Sequence, residues 1–208
     1  MPDDHIDPLF GAAPAEIPLP SAPLVSVLCQ VRFTEILSVQ QKSFIASFQE
    51  RVRAQYPLLQ EERIETIELN NRDSSVRMTE QSVWRFFDAA REWRVTLTPQ
   101  FFSIETKKYK SRNDLVERIG DITDAVNETI KPTHLMRIGV RYIDRMVLND
   151  DDNVSEMLNN EIHGVSGNSL HKHISYSISE VLLNTKEGQL LSKWGLMPPL
   201  GTHDPENM

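Results

Sequence analysis

Three arginines follow one another at intervals of four residues: Arg137, Arg141 and Arg145. Alternate residues of a β-strand point to the same face, so in a strand all three guanidinium groups would lie on one side. At ~3.3 Å per residue, neighbouring members of this stripe would be about 13 Å apart. A guanidinium group pairs with two oxygens of a phosphate or a carboxylate. The stripe is therefore a candidate site for a phosphate, a carboxylate or a nucleic-acid backbone.

Two further arginines and one acid could belong to the same surface. Arg32 and Arg94 lie in other predicted strands, and Glu105 could pair with one of these guanidinium groups. The same residues also fit a solvated sheet face that is held by cross-strand pairs of arginine and glutamate, which are common on protein surfaces. At the level of sequence, the ligand-binding interpretation and the surface interpretation are both open.

Other kinds of chemistry have less support. His171 and His173 have the spacing of two metal ligands on one strand face, but no third ligand accompanies them, so we expect no metal. Cys29 falls on the apolar face of a predicted strand, where burial raises the pKa of a thiol and disfavours nucleophilic catalysis. The sequence contains neither a G-x-S-x-G motif nor a glycine-rich phosphate loop, and we expect no cofactor.

The segment from His134 to Leu148 has the pattern of a strand that would hold the arginine stripe. Its even-numbered residues are mostly apolar, and three of its odd-numbered residues are the arginines. This period of two predicts a half-buried antiparallel strand. Comparable patterns predict further strands at 25–33, 64–69, 76–79, 83–88, 93–98, 101–109, 173–183 and 189–196.

Two amphipathic helices are predicted among these strands. The first occupies residues 38–56, which carry one apolar stripe. The second follows Ser111, which has the spacing of a capping box with Asp114, and it ends before Pro132. Two helices can cover only one face of a sheet. The sequence therefore predicts an α+β fold, with a twisted antiparallel sheet of about seven or eight strands and two main helices on one face.

Size and composition are typical of an ordinary globular chain. Of the 208 residues, 25% are charged and 39% are hydrophobic, which allows a core without disulfides or metals. We predict a proline-rich arm at 1–23, a single α+β domain at 24–200 with a short helix at 154–161, and a tail at 201–208.

Charge and hydropathy exclude some partners. The net charge of −8 argues against non-specific binding of nucleic acid, because such binding depends on neutralising phosphates. No stretch approaches the ~20 apolar residues of a membrane helix. The acidic N-terminus lacks the apolar segment of a signal peptide. We therefore expect a cytoplasmic protein that does not bind membranes.

Several sequence blocks, taken in order, resemble one prokaryotic family. They are Ala22–Phe33, Trp93–Leu97, Phe102–Thr106 with Tyr109, Arg137–Asp144 and Trp194–Pro199. The resemblance extends over residues 15–208. The chain is similar to a sporadically distributed family of uncharacterised proteins that carries only a serial label and has no established activity. By association alone, the resemblance implies an accessory or defence-linked role.

Two functional hypotheses follow from these features. The first is a non-enzymatic binding or interaction module, whose arginine-bearing face holds a small anionic ligand or a protein partner, including a second copy of the chain. The second is an enzyme of unrecognised type that acts on a phosphorylated or nucleotide-like substrate held by Arg137 and Arg141. An enzyme needs a concave pocket with convergent titratable groups, whereas a binding module presents a flat or grooved face.

The resemblance departs from the family at the end of the chain. Members of the family usually continue with another strand and a closing helix, whereas this sequence ends at Met208. A missing strand would leave an open sheet edge, and open edges pair readily with another chain. We expect either lower stability than in a full-length relative or dimerisation through that edge. A monomer with a high melting temperature, in light scattering and calorimetry, would contradict both.

Overall fold

A computed structural model describes residues 19, 21–70, 75–147, 159, 162 and 173–197. For residues 66–70 and 75–79 it describes the backbone alone. The chain divides into two compact units, Pro23–Arg145 and a second one to which the described residues from Met146 onward belong. Most of the predicted N-terminal arm, the predicted helix at 154–161 and the tail lie outside the described residues.

The first unit is built from six strands and two α-helices. In chain order the elements are β1 (Leu24–Phe33), a 3-10 turn (Leu37–Gln40), α1 (Lys42–Val52), β2 (Leu58–Asn70), β3 (Ser75–Phe87), β4 (Trp93–Leu97), β5 (Phe101–Thr106), α2 (Arg112–Thr129) and β6 (Leu135–Asp144). The six strands form one sheet in the order β2-β3-β4-β5-β1-β6, and every neighbouring pair is antiparallel. Strands β2, β3, β4 and β5 form a meander, and β1 lies between the last strand of this meander, β5, and β6.

The second unit contains a hairpin of β7 (Ser179–Asn184) and β8 (Gln189–Trp194). The strands predicted at 173–183 and 189–196 are confirmed in shortened form, and they pair with each other. At its base, a Cβ atom on Gly195 would lie 1.8 Å from the carbonyl oxygen of Ser177, so only glycine fits there. The indole of Trp194 donates a hydrogen bond of 2.7 Å to the carbonyl of Ile162.

Local sequence signals explain where α2 begins and ends. The hydroxyl of Ser111 accepts a hydrogen bond of 3.2 Å from the backbone N–H of Asp114, as the capping pattern predicts. At the other end, Lys131 has a φ of 57° and its N–H bonds to the carbonyl of Val126, which turns the chain out of the helix. Pro132 then prevents continuation.

One face of the six-stranded sheet carries the core. Two rows of buried side chains cross it in register, namely Trp84, Leu97, Phe102 and Val31, and Phe86, Val95, Ile104 and Cys29. Both helices cover this face. From α1, the ring of Phe48 meets that of Phe86 edge-on at 5.2 Å, and α2 adds buried residues such as Ile122 and Val126. Trp84 donates its indole N–H to the carbonyl of Val39 at 2.7 Å, which ties the 3-10 turn to the core.

The predicted fold class is confirmed, with differences in detail. The described strands number eight, divided between a sheet of six and a hairpin of two. The helix predicted at 38–56 is a 3-10 turn followed by the shorter α1. The strands predicted at 64–69, 76–79 and 83–88 are parts of two thirteen-residue strands, because paired backbones extend β2 and β3 through polar sequence that has no apolar period.

The prediction that residues 134–148 form a half-buried strand is wrong about burial. A strand forms there, but it is shorter and lies at the edge of the sheet, and both of its faces are solvent-exposed. On the side that continues the core rows, Ile138 is 66% exposed and Val140 is 49% exposed. Alternation reports which residues share a face, but it does not report whether another element covers that face.

We predict that Phe48→Ala destabilises the first unit strongly. Phe48 is fully buried, and its removal opens a cavity between α1 and β3, with a cost of about 3–5 kcal/mol. Val116→Ala on α2 is the control, because this side chain is 59% exposed and should change stability by no more than about 0.5 kcal/mol. Urea unfolding followed by tryptophan fluorescence measures both. Equal effects would contradict the assignment of the core.

Candidate functional site

The predicted arginine surface lies on the sheet face opposite the core, where β1 and β6 are neighbours. In their antiparallel register, Arg32 of β1 stands directly opposite Arg137 of β6. Arg141 lies on the same face of β6, opposite Leu28. We call Arg32, Arg137 and Arg141 the arginine face. It brings together three of the five candidate binding residues from segments that are about a hundred residues apart in sequence.

Arg137 lies along its own strand over Gly139. An added Cβ atom at Gly139 would be 3.6 Å from Nη2 of Arg137 and 3.8 Å from its Nε. The guanidinium group therefore lies over the strand midway between Arg137 and Arg141, and a Cβ atom at position 139 would make ordinary van der Waals contact with it.

The pairing of Arg32 with Arg137 is electrostatically unfavourable in the free protein. Directly opposed residues of an antiparallel pair have Cβ atoms about 5 Å apart, and like-charged residues at directly opposed positions destabilise the sheet. Both residues are exposed, and neither has an ion-pair partner among the described residues. An anion between the two groups would remove the repulsion and form charge-assisted hydrogen bonds with both.

The other two candidate residues are held by other contacts, although Glu105 lies on the same side of the sheet as Arg141, in one cross-strand row with Leu28 between them. Glu105 forms an ion pair with Arg94 on the neighbouring strand β4 and accepts a hydrogen bond of 3.2 Å from the hydroxyl of Ser26. It is thus held by Arg94, and the sequence offered no signal for Ser26. Arg145 follows the last residue of β6, and its backbone N–H bonds to the carbonyl of Pro23 at 2.8 Å.

The two faces of β6 differ in chemistry: one belongs to the arginine face, and the other carries exposed apolar side chains. The even-numbered side chains of β6 extend the core rows beyond the helices: Met136, Ile138, Val140 and Tyr142 are 63%, 66%, 49% and 50% exposed. Tyr142 contacts the ring of Tyr109 edge-on at 5.9 Å. The last strand of the sheet is therefore basic on one side and apolar on the other.

A second polar cluster lies beside α2. The guanidinium group of Arg118 packs over the ring of Trp93 at 4.4 Å, pairs with Asp114 at 3.1 Å and donates a long hydrogen bond of 3.5 Å to the Tyr56 hydroxyl. With Gln55, Glu117 and Asp121, the pair of Arg118 and Asp114 lines a cleft of about 200 Å³. Arg118 is engaged on three sides, so the cluster ties α2 to the sheet. The i, i+4 spacing of Asp114 and Arg118 is a signal in the sequence that could have predicted this ion pair.

The thiol and the histidines can be placed in part. Cys29 is buried in the core row, and burial raises the pKa of its thiol, as the strand pattern predicts. His173 is exposed and precedes β7 in sequence, while His171 lies outside the described residues. Among the residues that the structure describes, no three His, Cys, Asp or Glu side chains are grouped as metal ligands would be.

Within the described ranges, the helices are too short or too polar to cross a membrane. Comparison of the chain with protein families, with curated proteins and with solved structures found no match. The family resemblance of the sequence blocks stays a prediction.

We predict that the Cys29 thiol is unreactive in the folded protein. Its burial and raised pKa both reduce the concentration of accessible thiolate, so at pH 8 a thiol reagent should react roughly a hundredfold more slowly than in urea. The control is a Cys29→Ala/Lys186→Cys variant, whose thiol is placed at an exposed position and should react at once. Rapid labelling of the native wild type would contradict a purely structural thiol.

Proposed function

We propose that this protein is a non-enzymatic binding module of the cytoplasm that holds an anionic ligand or an acidic protein partner on its arginine face. The observation that carries the proposal is the direct cross-strand pairing of Arg32 with Arg137, both exposed and both without an acidic partner in the described part of the chain. Exposed arginines on a sheet usually pair with acids across the strands, as Arg94 does with Glu105.

The shape of the surface favours binding over catalysis. The arginines project from the strand at the edge of the sheet and from its neighbour, and both faces of that edge strand are solvated. An enzyme that acts on a phosphorylated substrate would need titratable groups that converge in a concave, water-excluding site. The cleft beside α2 contains acids, but its one arginine is already bound to Asp114. An accessory or defence-linked role remains part of the proposal through the family resemblance alone.

We predict that replacing Arg32, Arg137 and Arg141 with glutamine weakens the binding of defined polyanions. Inorganic pyrophosphate and a short polyglutamate peptide serve as probes, and calorimetric titration measures their affinity. Loss of three charge-assisted contacts should reduce affinity roughly tenfold or more. The variant should remain folded, because the substitutions relieve repulsion between exposed groups.

The matched control replaces Arg51, Arg53 and Arg63 with glutamine. These arginines are also exposed, and each pairs with a glutamate, so the control has the same change in net charge at other places on the first unit. If the control variant loses as much affinity as the arginine-face variant, binding follows net charge and the proposal fails. It also fails if neither probe binds the wild type.

A further inference from the structure

The outer edge of β6 is a second feature of the same surface. Among the described strands, β6 pairs with β1 alone, so one row of its backbone N–H and C=O groups has no strand beside it. Natural proteins usually cover such edges or protect them with charged side chains. β6 carries both charges and exposed apolar residues, which is the composition of an edge that accepts one kind of strand and rejects others.

Charge argues against a second copy of the chain on this edge. Two copies that pair through β6 would place Arg137 and Arg141 of each strand beside the same residues of the other. Arg32 of each copy, directly opposite Arg137, would add to the positive charge. No acid lies among the odd-numbered residues of β6 to offset it. Like charges on adjacent strands are destabilising, so the edge selects a partner strand of opposite charge.

The geometry points to an extended acidic segment of another protein, which we infer adds to the sheet as a strand beside β6. Its main chain would bond to the free edge, in the manner of strand addition. Acidic residues four positions apart would face Arg137 and Arg141, and the residue between them would lie opposite Gly139. Apolar residues at the alternate positions would cover Ile138 and Val140. This inference names the partner of the arginine face and rests on the proposed function.

The experiment uses the full chain and a fluorescent peptide with the core Glu-Val-Thr-Val-Glu between glycine–serine flanks. Fluorescence anisotropy measures its affinity. A matched peptide with lysine in place of both glutamates should bind at least roughly tenfold more weakly. The double variant Arg137→Glu/Arg141→Glu should reverse this preference, because the charges exchange while the strand and its apolar face are kept.

Methylation of the peptide backbone tests strand addition itself. Amides of alternate residues point to the same edge of a strand. Two versions of the acidic peptide carry N-methyl groups on either the odd or the even residues. We expect one version to lose binding at least roughly tenfold and the other to bind like the parent, since only one set faces β6.

The outcomes separate this inference from the proposed function. If both methylated peptides bind like the parent, the arginine face binds acids without strand addition and the inference is overturned alone. The same holds if pyrophosphate binds but the acidic peptide does not. Protection from hydrogen exchange of the outward-pointing β6 amides, the alternate set that does not bond to β1, would show in the free chain, monomer or dimer, that the edge is already occupied, and it would also overturn the inference. If neither pyrophosphate nor the peptides bind, both proposals fail.

Discussion

The structure depends on how far two helices can reach across one sheet. The core rows run in register through β3, β4, β5 and β1, and every residue in them is nearly inaccessible to solvent. The same rows continue onto β6 as Ile138 and Val140, which are largely exposed. Since burying apolar area is the main favourable term in folding, the helices fix which strands form the core and leave β6 as a strand whose side chains face solvent on both sides.

This limit explains why the arginine face and the apolar side of β6 occur together. On a strand that helices cover, the apolar side chains would be buried against those helices, and only the polar face of the strand would be accessible to a partner. On β6 both sets of side chains are exposed, and within the described part of the chain no strand pairs with its outer row of backbone groups. The opposed pair of Arg32 and Arg137 makes that surface basic, and the repulsion between the two residues lowers the stability of the sheet.

Much of the fold could be predicted from local sequence, because the signals act over a few residues. Alternation placed Cys29 in the core, and the capping pattern placed Ser111 at the start of α2. The site could be predicted only in part. The stripe on β6 is a local pattern, but its pairing with Arg32 depends on a register between distant segments, and Glu105 is held by Arg94 for the same reason. Burial of β6 depends on the reach of the helices, which no strand pattern encodes.

The position of β1 in the sheet also matters while the chain is being made. β1 is synthesised before the other strands of the first unit, yet its two neighbours are β5 and β6, which close the sheet only after most of that unit has been translated. At ribosomal rates of about 5–20 residues per second, this strand waits on the order of ten seconds before β5 can join it. Its apolar row, from Val27 to Phe33, is unpaired during that interval. A chaperone that acts during this interval would therefore meet this unpaired apolar row before the six-stranded sheet has formed.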